Sequence, residues 1–425
     1  MEGVMKIIIS TVLIISGLGL SLCAQDFGEF NSNEELSLPV PEMEADKSGG
    51  GDRGGEKEWT MMVFMNAKNN LEKYGVADMN EMERIGSTSR LNVVVEMGRM
   101  AGYDSSNGDW KGVKRFYVER DLLKDPLGRT INSRVVQDLG SRNMGDYREV
   151  INFVKWAKEK YPAKKYILVL WNHGGGWTRD NPVADKGISY DEETGNNIDT
   201  PQLGKIVAEA GKLDVLASDA CLMQMAEIAY EVKDGVDFMV GSEETEPGAG
   251  YSYYKILFPL VMSPSMTPET LSRLVVLAYW DSNVIGFGVA THSSLKMSQA
   301  GTLAQKMDAL ARAAMASGEK EKIKTARNEA QSYAIDDNKD LKHFADLVRA
   351  KAGNPALKTA AADLSSFLGD KTRLVIDNKT SILPSSNSNG VAVYLPGAFV
   401  DGDYAQVKLA KETQWDEFLK WLVKK

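Results

Sequence analysis

Cysteine is nearly absent from this 425-residue chain, which has two, Cys23 and Cys221. That excludes a disulfide scaffold, and with no CxxC pair or Cys/His cluster it argues against a structural zinc site. Histidine is almost as scarce, with His173, His292 and His343 only. A surplus of one charge is missing from most of the chain. The net charge is −9, but residues 25–58 hold ten acids against three bases, so the rest is close to neutral. A neutral body without a basic stripe argues against nucleic acid as a partner. What remains is ordinary: 43% hydrophobic and 26% charged residues suit a globular chain with a large core, neither disordered nor polytopic.

Long hydrophobic runs are also lacking, with one exception. Residues 7–22 (IIISTVLIISGLGLSL) follow Lys6 without a charge. The run is short for a spanning helix and ends in small residues, so residues 1–24 read as a secretory signal, with an uncleaved anchor as the competing reading. Leu20-Ser21-Leu22-Cys23 resembles a bacterial lipobox, apart from Leu22 where a small residue is usual, and would put a lipid anchor on Cys23. Cleavage after Ala24 would discard that cysteine. Either way Cys221 is the lone thiol of an exported protein, secreted or held at the surface or outer membrane of a bacterium. Residues 25–58, acidic and Gly-rich, read as a flexible tether or propeptide.

From Trp59 short apolar runs alternate with helical stretches. Met61–Met65, Leu91–Met97, Tyr166–Trp171, Val215–Ala217 and Val236–Gly241 read as strands, with Arg115–Val118 as part of a hairpin. Helical patterns fill the gaps, one from Asp146 as N-cap to Pro162 and another from about Leu222 to Val232. Apolar strands separated by helices imply an α/β fold with a mostly parallel sheet covered on both faces. Functional residues then belong at the carboxyl ends of strands. A core over 59–260 precedes a mixed α/β part over 261–425, which either extends the sheet or forms a subdomain.

Two strand ends carry chemistry. His173 stands two residues past an apolar strand and is followed by Gly174-Gly175-Gly176, which lets a ligand approach the backbone and its N–H groups. Cys221 ends Ser218-Asp219-Ala220-Cys221, past another strand and at the expected start of a helix. A thiol, an imidazole and free amides suit thiol acyl transfer. A turn histidine and an inert buried cysteine are the bland alternative. His292, after a strand, reads as polar packing, and His343 as a surface residue.

The sequences WNHGGGW (Trp171–Trp177) and SDAC (Ser218–Cys221) resemble the two signatures of the clostripain family of cysteine peptidases, in the clan of caspases, legumain and gingipains. Further matches follow in order. They are MVFMNAKNNLE (Met62–Glu72), MGDYREVINFVKWAKEKYP (Met144–Pro162), SEETEPGAGYSY (Ser242–Tyr253) and GVAVYLP (Gly390–Pro396). The resemblance covers about 59–425. It implies a caspase-like, mostly parallel sheet sandwiched by helices, with a mixed α/β C-terminal extension. It makes Cys221 the nucleophile and His173 the general acid/base, with the N–H groups of Gly174 and Cys221 as oxyanion hole.

The resemblance also implies cleavage of protein or peptide substrates after Arg or Lys, with Asp219 as an acid of the primary pocket. The bland role for Asp219 is a helix N-cap. Ala249 stands where a further acid is expected, so Glu243, or else Glu244 or Glu246, is the candidate replacement. Self-cleavage between the two signatures is implied as well. Thr178–Gly211 reads as an exposed polar loop, and Lys186-Gly187 is the favoured cut, giving a monomer of two associated chains. No cofactor is assigned. Calcium is left uncommitted, because the acids Asp180, Asp185, Asp191, Glu192, Glu193 and Asp199 lack EF-hand spacing. Two other readings stay open: a catalytically silent surface binding protein on the same fold, and a transpeptidase using the same thiol.

Overall fold

The apolar run Met61–Met65 grows into a long central strand, and the rest of the sheet assembles on both sides of it. In the computed structural model residues 56–121, 130–177, 187–283, 290–381 and 385–424 are described. Four strands come first: β1 (Lys57–Ala67), β2 (Leu91–Arg99), β3 (Gly112–Tyr117) and β4 (Arg134–Gly140). They are followed by β5 (Ala163–Trp171), the short hairpin β6 (Ile188–Asp191) and β7 (Asn196–Ile198), β8 (Leu213–Asp219) and β9 (Val236–Gly241). The last are β10 (Thr291–Lys296), β11 (Asn338–Asp340), β12 (Val375–Thr380) and β13 (Ala392–Tyr394). Nine of them form one sheet, in the order β12-β10-β9-β8-β5-β1-β2-β3-β4. The inner five, from β9 to β2, are parallel, and the outer pairs on both edges are antiparallel.

Alternation along the strands explains why they read as unbroken apolar runs. Met62, Phe64, Leu168, Leu170 and Leu216 face one core, and Met61, Val63, Ile167, Val169 and Val215 face the other. A strand buried on both faces has no polar side to show. Helices α1 (Glu72–Glu83), α5 (Tyr253–Met262) and α6 (Pro268–Asn283) supply the second core. Helices α2 (Tyr147–Lys160), α3 (Thr200–Glu209), α4 (Ala226–Val232) and α7 (Ala300–Ala316) supply the first. Asp146 caps α2 as expected, accepting from the Arg148 N–H.

The chain leaves β1 toward β2 on one side, and β5 toward β8 on the other. The carboxyl ends of neighbouring β1 and β5 therefore flank the point where the winding reverses, the crevice in which doubly wound sheets hold ligands.

Three expectations change. Leu222–Met225 is not helical, and α4 starts at Ala226. Leu222 has φ +63°, and the segment spends its amides across the sheet end, Leu222 N–H to Glu244 O and Gln224 N–H to Ser242 O. The stretch read as one loop up to Gly211 holds β6, β7 and α3, the last closed by a capping box between Asp199 and Gln202. His292 lies within β10 rather than after a strand. The residue-260 division falls inside α5, and strands on both sides of it share the sheet.

Candidate active site

Register brings the two signatures together. Trp171 on β5 pairs with Asp219 on β8, and parallel neighbours lie about 4.8 Å apart. His173 and Cys221 each follow two residues later, so both emerge from the same end of adjoining strands. The Asn172 N–H donates to the Asp219 carbonyl at 3.3 Å and prolongs the pairing into the turns. Gly174 then lies so close to Cys221 that a Cβ would run into its carbonyl oxygen. Only glycine allows that approach.

Both side chains are buried at 4% exposure and line one cleft with Leu71, Asp219, Glu246 and Gly248. The Glu246 backbone N–H donates to Cys221 Sγ at 3.2 Å. That N–H points at the sulfur where a helix N-terminus is expected from the sequence, and the helix itself begins further on at Ala226. His173 Nε2 is 2.6 Å from Asn70 Oδ1, at the end of β1.

The floor of the cleft is acidic. Asp219 accepts from Tyr253 Oη at 2.9 Å and from the Tyr251 N–H at 3.1 Å. Burial pushes its carboxyl up to about 7 in spite of those donors. Glu246 is buried with neither carboxylate oxygen hydrogen-bonded among the described residues. Burial, then the negative charge of Asp219, holds its carboxyl well above the usual range. Asp78, behind them, accepts from Trp171 Nε1 at 2.7 Å and is raised by burial and by Asp219. No Lys or Arg is ion-paired with any of these three acids among the described residues. His292 Nδ1 lies 3.5 Å from Glu246 Oε1. Burial pushes His292 down to about 3, so it is neutral, stacked on Tyr279 and bonded to Tyr251 Oη at 2.9 Å.

Other sequence candidates go elsewhere. Glu243 does not reach the cleft. Its Oε2 accepts from the Gly390 N–H at 3.1 Å, and its carboxyl sits against Asp340 and Tyr333. Glu244 accepts from the N–H groups of Thr245 and Ala334. Of the three glutamates it is Glu246 that lines the cleft. Ala249 is exposed. Gly250 packs on Asp219, where a Cβ would meet Oδ1. His343 is half-buried, its Nδ1 accepting from the Gln331 N–H at 2.9 Å. Asp191 pairs with buried Lys68, Glu193 does the same, and Asp199 caps α3. No group of three His, Cys, Asp or Glu side chains stands ready for a metal among the described residues. Lys186 and Cys23 lie outside the described residues. Gly187, next to the expected cut, has φ +53° and its carbonyl accepts from the Gly175 N–H at 2.7 Å.

Asn70 escapes sequence reasoning, and Glu246 is named by it only as one alternative to Glu243. Asn70 looks like one more turn asparagine in NNLE. Glu246 is one of three glutamates in five residues, and only the backbone direction separates them.

Known proteins with the same features are found by sequence and by fold. The profile of the clostripain family matches residues 63–421. Clostripain of Hathewaya histolytica is 29% identical over 215 residues, which is 46% of this chain and 41% of that protein's length. A secreted C11 cysteine protease from Bacteroides thetaiotaomicron, solved with an irreversible peptide inhibitor, superposes with a TM-score of 0.62 at 20% identity. It covers 86% of this chain and 99% of its own. An inactive zymogen C11 protease from Parabacteroides distasonis gives a TM-score of 0.62 at 16% identity, with the same coverage.

Proposed function

Since the chain belongs to the clostripain family, we propose that it is an exported cysteine endopeptidase that cleaves after Arg or Lys, with Cys221 as nucleophile and His173 as acid/base. The observation that carries this reading is the Trp171–Asp219 register, which sends thiol and imidazole into one cleft floored by acids that pair with no Lys or Arg among the described residues.

The steps follow from the groups present. The Cys221 thiolate, helped by the Glu246 amide, attacks the scissile carbonyl carbon. A C–S bond forms and the carbonyl electron pair moves to oxygen. The N–H groups of Gly174 and Cys221 receive that charge. Collapse breaks the C–N bond, and the leaving amine takes a proton from the His173 imidazolium. Neutral His173 then deprotonates water, which hydrolyses the thioester and returns the thiol.

Asp219 and Glu246 give the pocket its preference. A buried carboxyl without a counter-ion is costly, and a substrate ammonium or guanidinium relieves that cost. Glu246 therefore takes the role that position 249 lacks. Self-cleavage at Lys186-Gly187 activates the enzyme, a reading supported by the zymogen named for the Parabacteroides protein. Export rests on residues 1–24 and on the secreted relative.

The test is a fluorogenic peptide panel varying the residue before the scissile bond, run on wild type, Cys221→Ala and Glu246→Gln, with intact mass recorded. The expected result is turnover after Arg or Lys by wild type alone. Glu246→Gln should lose about tenfold or more in kcat/KM for those peptides, the cost of one unmatched charge. Turnover by Cys221→Ala would overturn the nucleophile. Silence of wild type, even after added reductant and calcium, would favour a binding protein.

A further inference from the structure

Residues 66–72, NAKNNLE, run from the end of β1 into α1 and hold three asparagines, two of them spent on architecture. Asn66 is fully buried, and its Nδ2 donates to the carbonyl and hydroxyl oxygens of Ser189, both at 3.1 Å. Its Oδ1 receives the Lys68 N–H. Asn69 is buried, bonds the Tyr190 carbonyl through Nδ2, and accepts the Leu71 N–H. From the neighbouring strand, Asn172 donates to the Asn66 carbonyl at 2.5 Å and accepts the Tyr190 N–H at 2.9 Å. Lys68 locks the same corner through Asp191 and the Arg142 carbonyl. The β1 turn, the β5 turn and the β6 hairpin are thereby joined into one rigid mount.

Asn70 stands on that mount and does none of its work. It is exposed, and its Oδ1 lies 2.6 Å from His173 Nε2. An amide oxygen can only accept a hydrogen bond, so the ring nitrogen facing it carries the proton. In neutral imidazole the other nitrogen, Nδ1, then bears the lone pair. The partner is itself held by residues that cannot relax, which is how a second residue orients a functional histidine.

We propose that Asn70 is the positioning residue of the site: its side-chain carbonyl fixes His173 in the Nε2–H tautomer and keeps Nδ1 as the atom that takes and returns the proton during acyl transfer. The kinetic consequence rests on the peptidase reading above, whereas the tautomer itself does not. Asn rather than Asp suffices because orientation needs an acceptor, not a charge. The proposal also accounts for the second Asn of the NNLE turn, which neither packing nor capping requires.

The test uses histidine-selective 15N labelling of wild type, Asn70→Ala and Asn70→Asp, at a pH where the ring is neutral. With three histidines in the chain, His173 is assigned by loss of its signals in His173→Gln. The expected wild-type signature is a protonated Nε2 in slow exchange. Asn70→Ala should show mixed tautomers or fast Nε2–H exchange, and Asn70→Asp should restore the wild-type pattern. The substitutions sit at an exposed position, so unfolding does not confuse the result, and unchanged His292 signals check it. In peptide turnover, Asn70→Ala should lose roughly tenfold to a hundredfold in kcat, the scale of a small misplacement, with KM within about twofold. A wild-type Nδ1–H tautomer, or Asn70→Ala leaving tautomer and exchange unchanged, would overturn the proposal. The expected tautomer shift in a protein that cleaves no peptide would sink the peptidase reading and leave the Asn70 assignment standing.

Discussion

Asp219 and Glu246 are carboxyls held where the neutral form is favoured, and under the proposed pocket reading their protonation would set what the cleft accepts. Asp219 is pushed up to about 7 by burial, and Glu246 is raised by burial and by Asp219. A cationic side chain binds the ionised forms. For Arg or Lys peptides KM should therefore rise as pH falls below about 7, by up to about tenfold per unit for each proton that must leave. Peptides with a neutral residue at that position should show no such rise, and equal slopes would refute the acidic-pocket account. Stability moves the other way. Native Asp219 binds its proton more tightly than in the unfolded chain, so stability falls as pH climbs from about 4 to about 7. Asp219→Asn should gain roughly 1–2 kcal/mol in urea unfolding at about pH 8 and little at about pH 4, while losing basic-peptide turnover. The position of Asp219 is readable from SDAC alone. The choice of Glu246 over Glu243 is not, because it depends on the packing of Glu243 against Gly390 and Asp340, far along the chain.

At the level of elements, the site is two turns pressed together at the ends of β5 and β8. The Gly174 backbone touches the Cys221 carbonyl with no room for a methyl group. Gly174→Ala should separate the turns and cut kcat/KM on the order of a hundredfold, while iodoacetamide still alkylates Cys221. Full activity in that variant would show that the close approach is not needed. Sequence periodicity finds β5, β8 and α2, because their apolar patterns are long enough to choose between strand and helix. It overextends α4, because Leu222–Met225 is apolar and ambiguous by pattern. The competing bonds to Ser242, Glu244 and Ala392 decide its conformation. It misses β6 and β7 because strands of four and three residues are too short to show a period, and it passes over α3, whose apolar face of Leu203, Ile206 and Val207 lies within a stretch read as polar loop.

As a whole, the molecule is one sheet to which the C-terminal part contributes an edge. Strands β10 and β12 cover β9, and Gln224, three residues past the thiol, donates to the carbonyl and hydroxyl oxygens of Ser293 on β10. Helix α9 (Leu341–Lys351), which follows helix α8 (Lys320–Glu329), is capped by Asp340, whose carboxyl also faces Glu243. The segment that carries Glu246 is thus braced from residues beyond 330. Residues 59–260 alone should therefore be insoluble or lack a cooperative melting transition, because removal of the rest bares the β9 edge and much of the first core. Cooperative unfolding of that fragment by calorimetry would contradict this.

Much follows from the sequence by itself. Doubly buried strands are apolar over most of their length, so the runs point to a parallel sheet. A lone thiol and a Gly-flanked histidine past two such runs mark the strand ends where chemistry belongs. Tertiary structure alone decides which strands are neighbours, and with that whether His173 meets Cys221. It decides that Glu246 turns inward, that a backbone amide rather than a helix end faces the sulfur, and that Asn70 holds the imidazole. The physical reason is common to all four. Burial pattern is a local property written along the chain, whereas hydrogen-bond direction and charge at a site depend on segments from 25 to 103 residues apart.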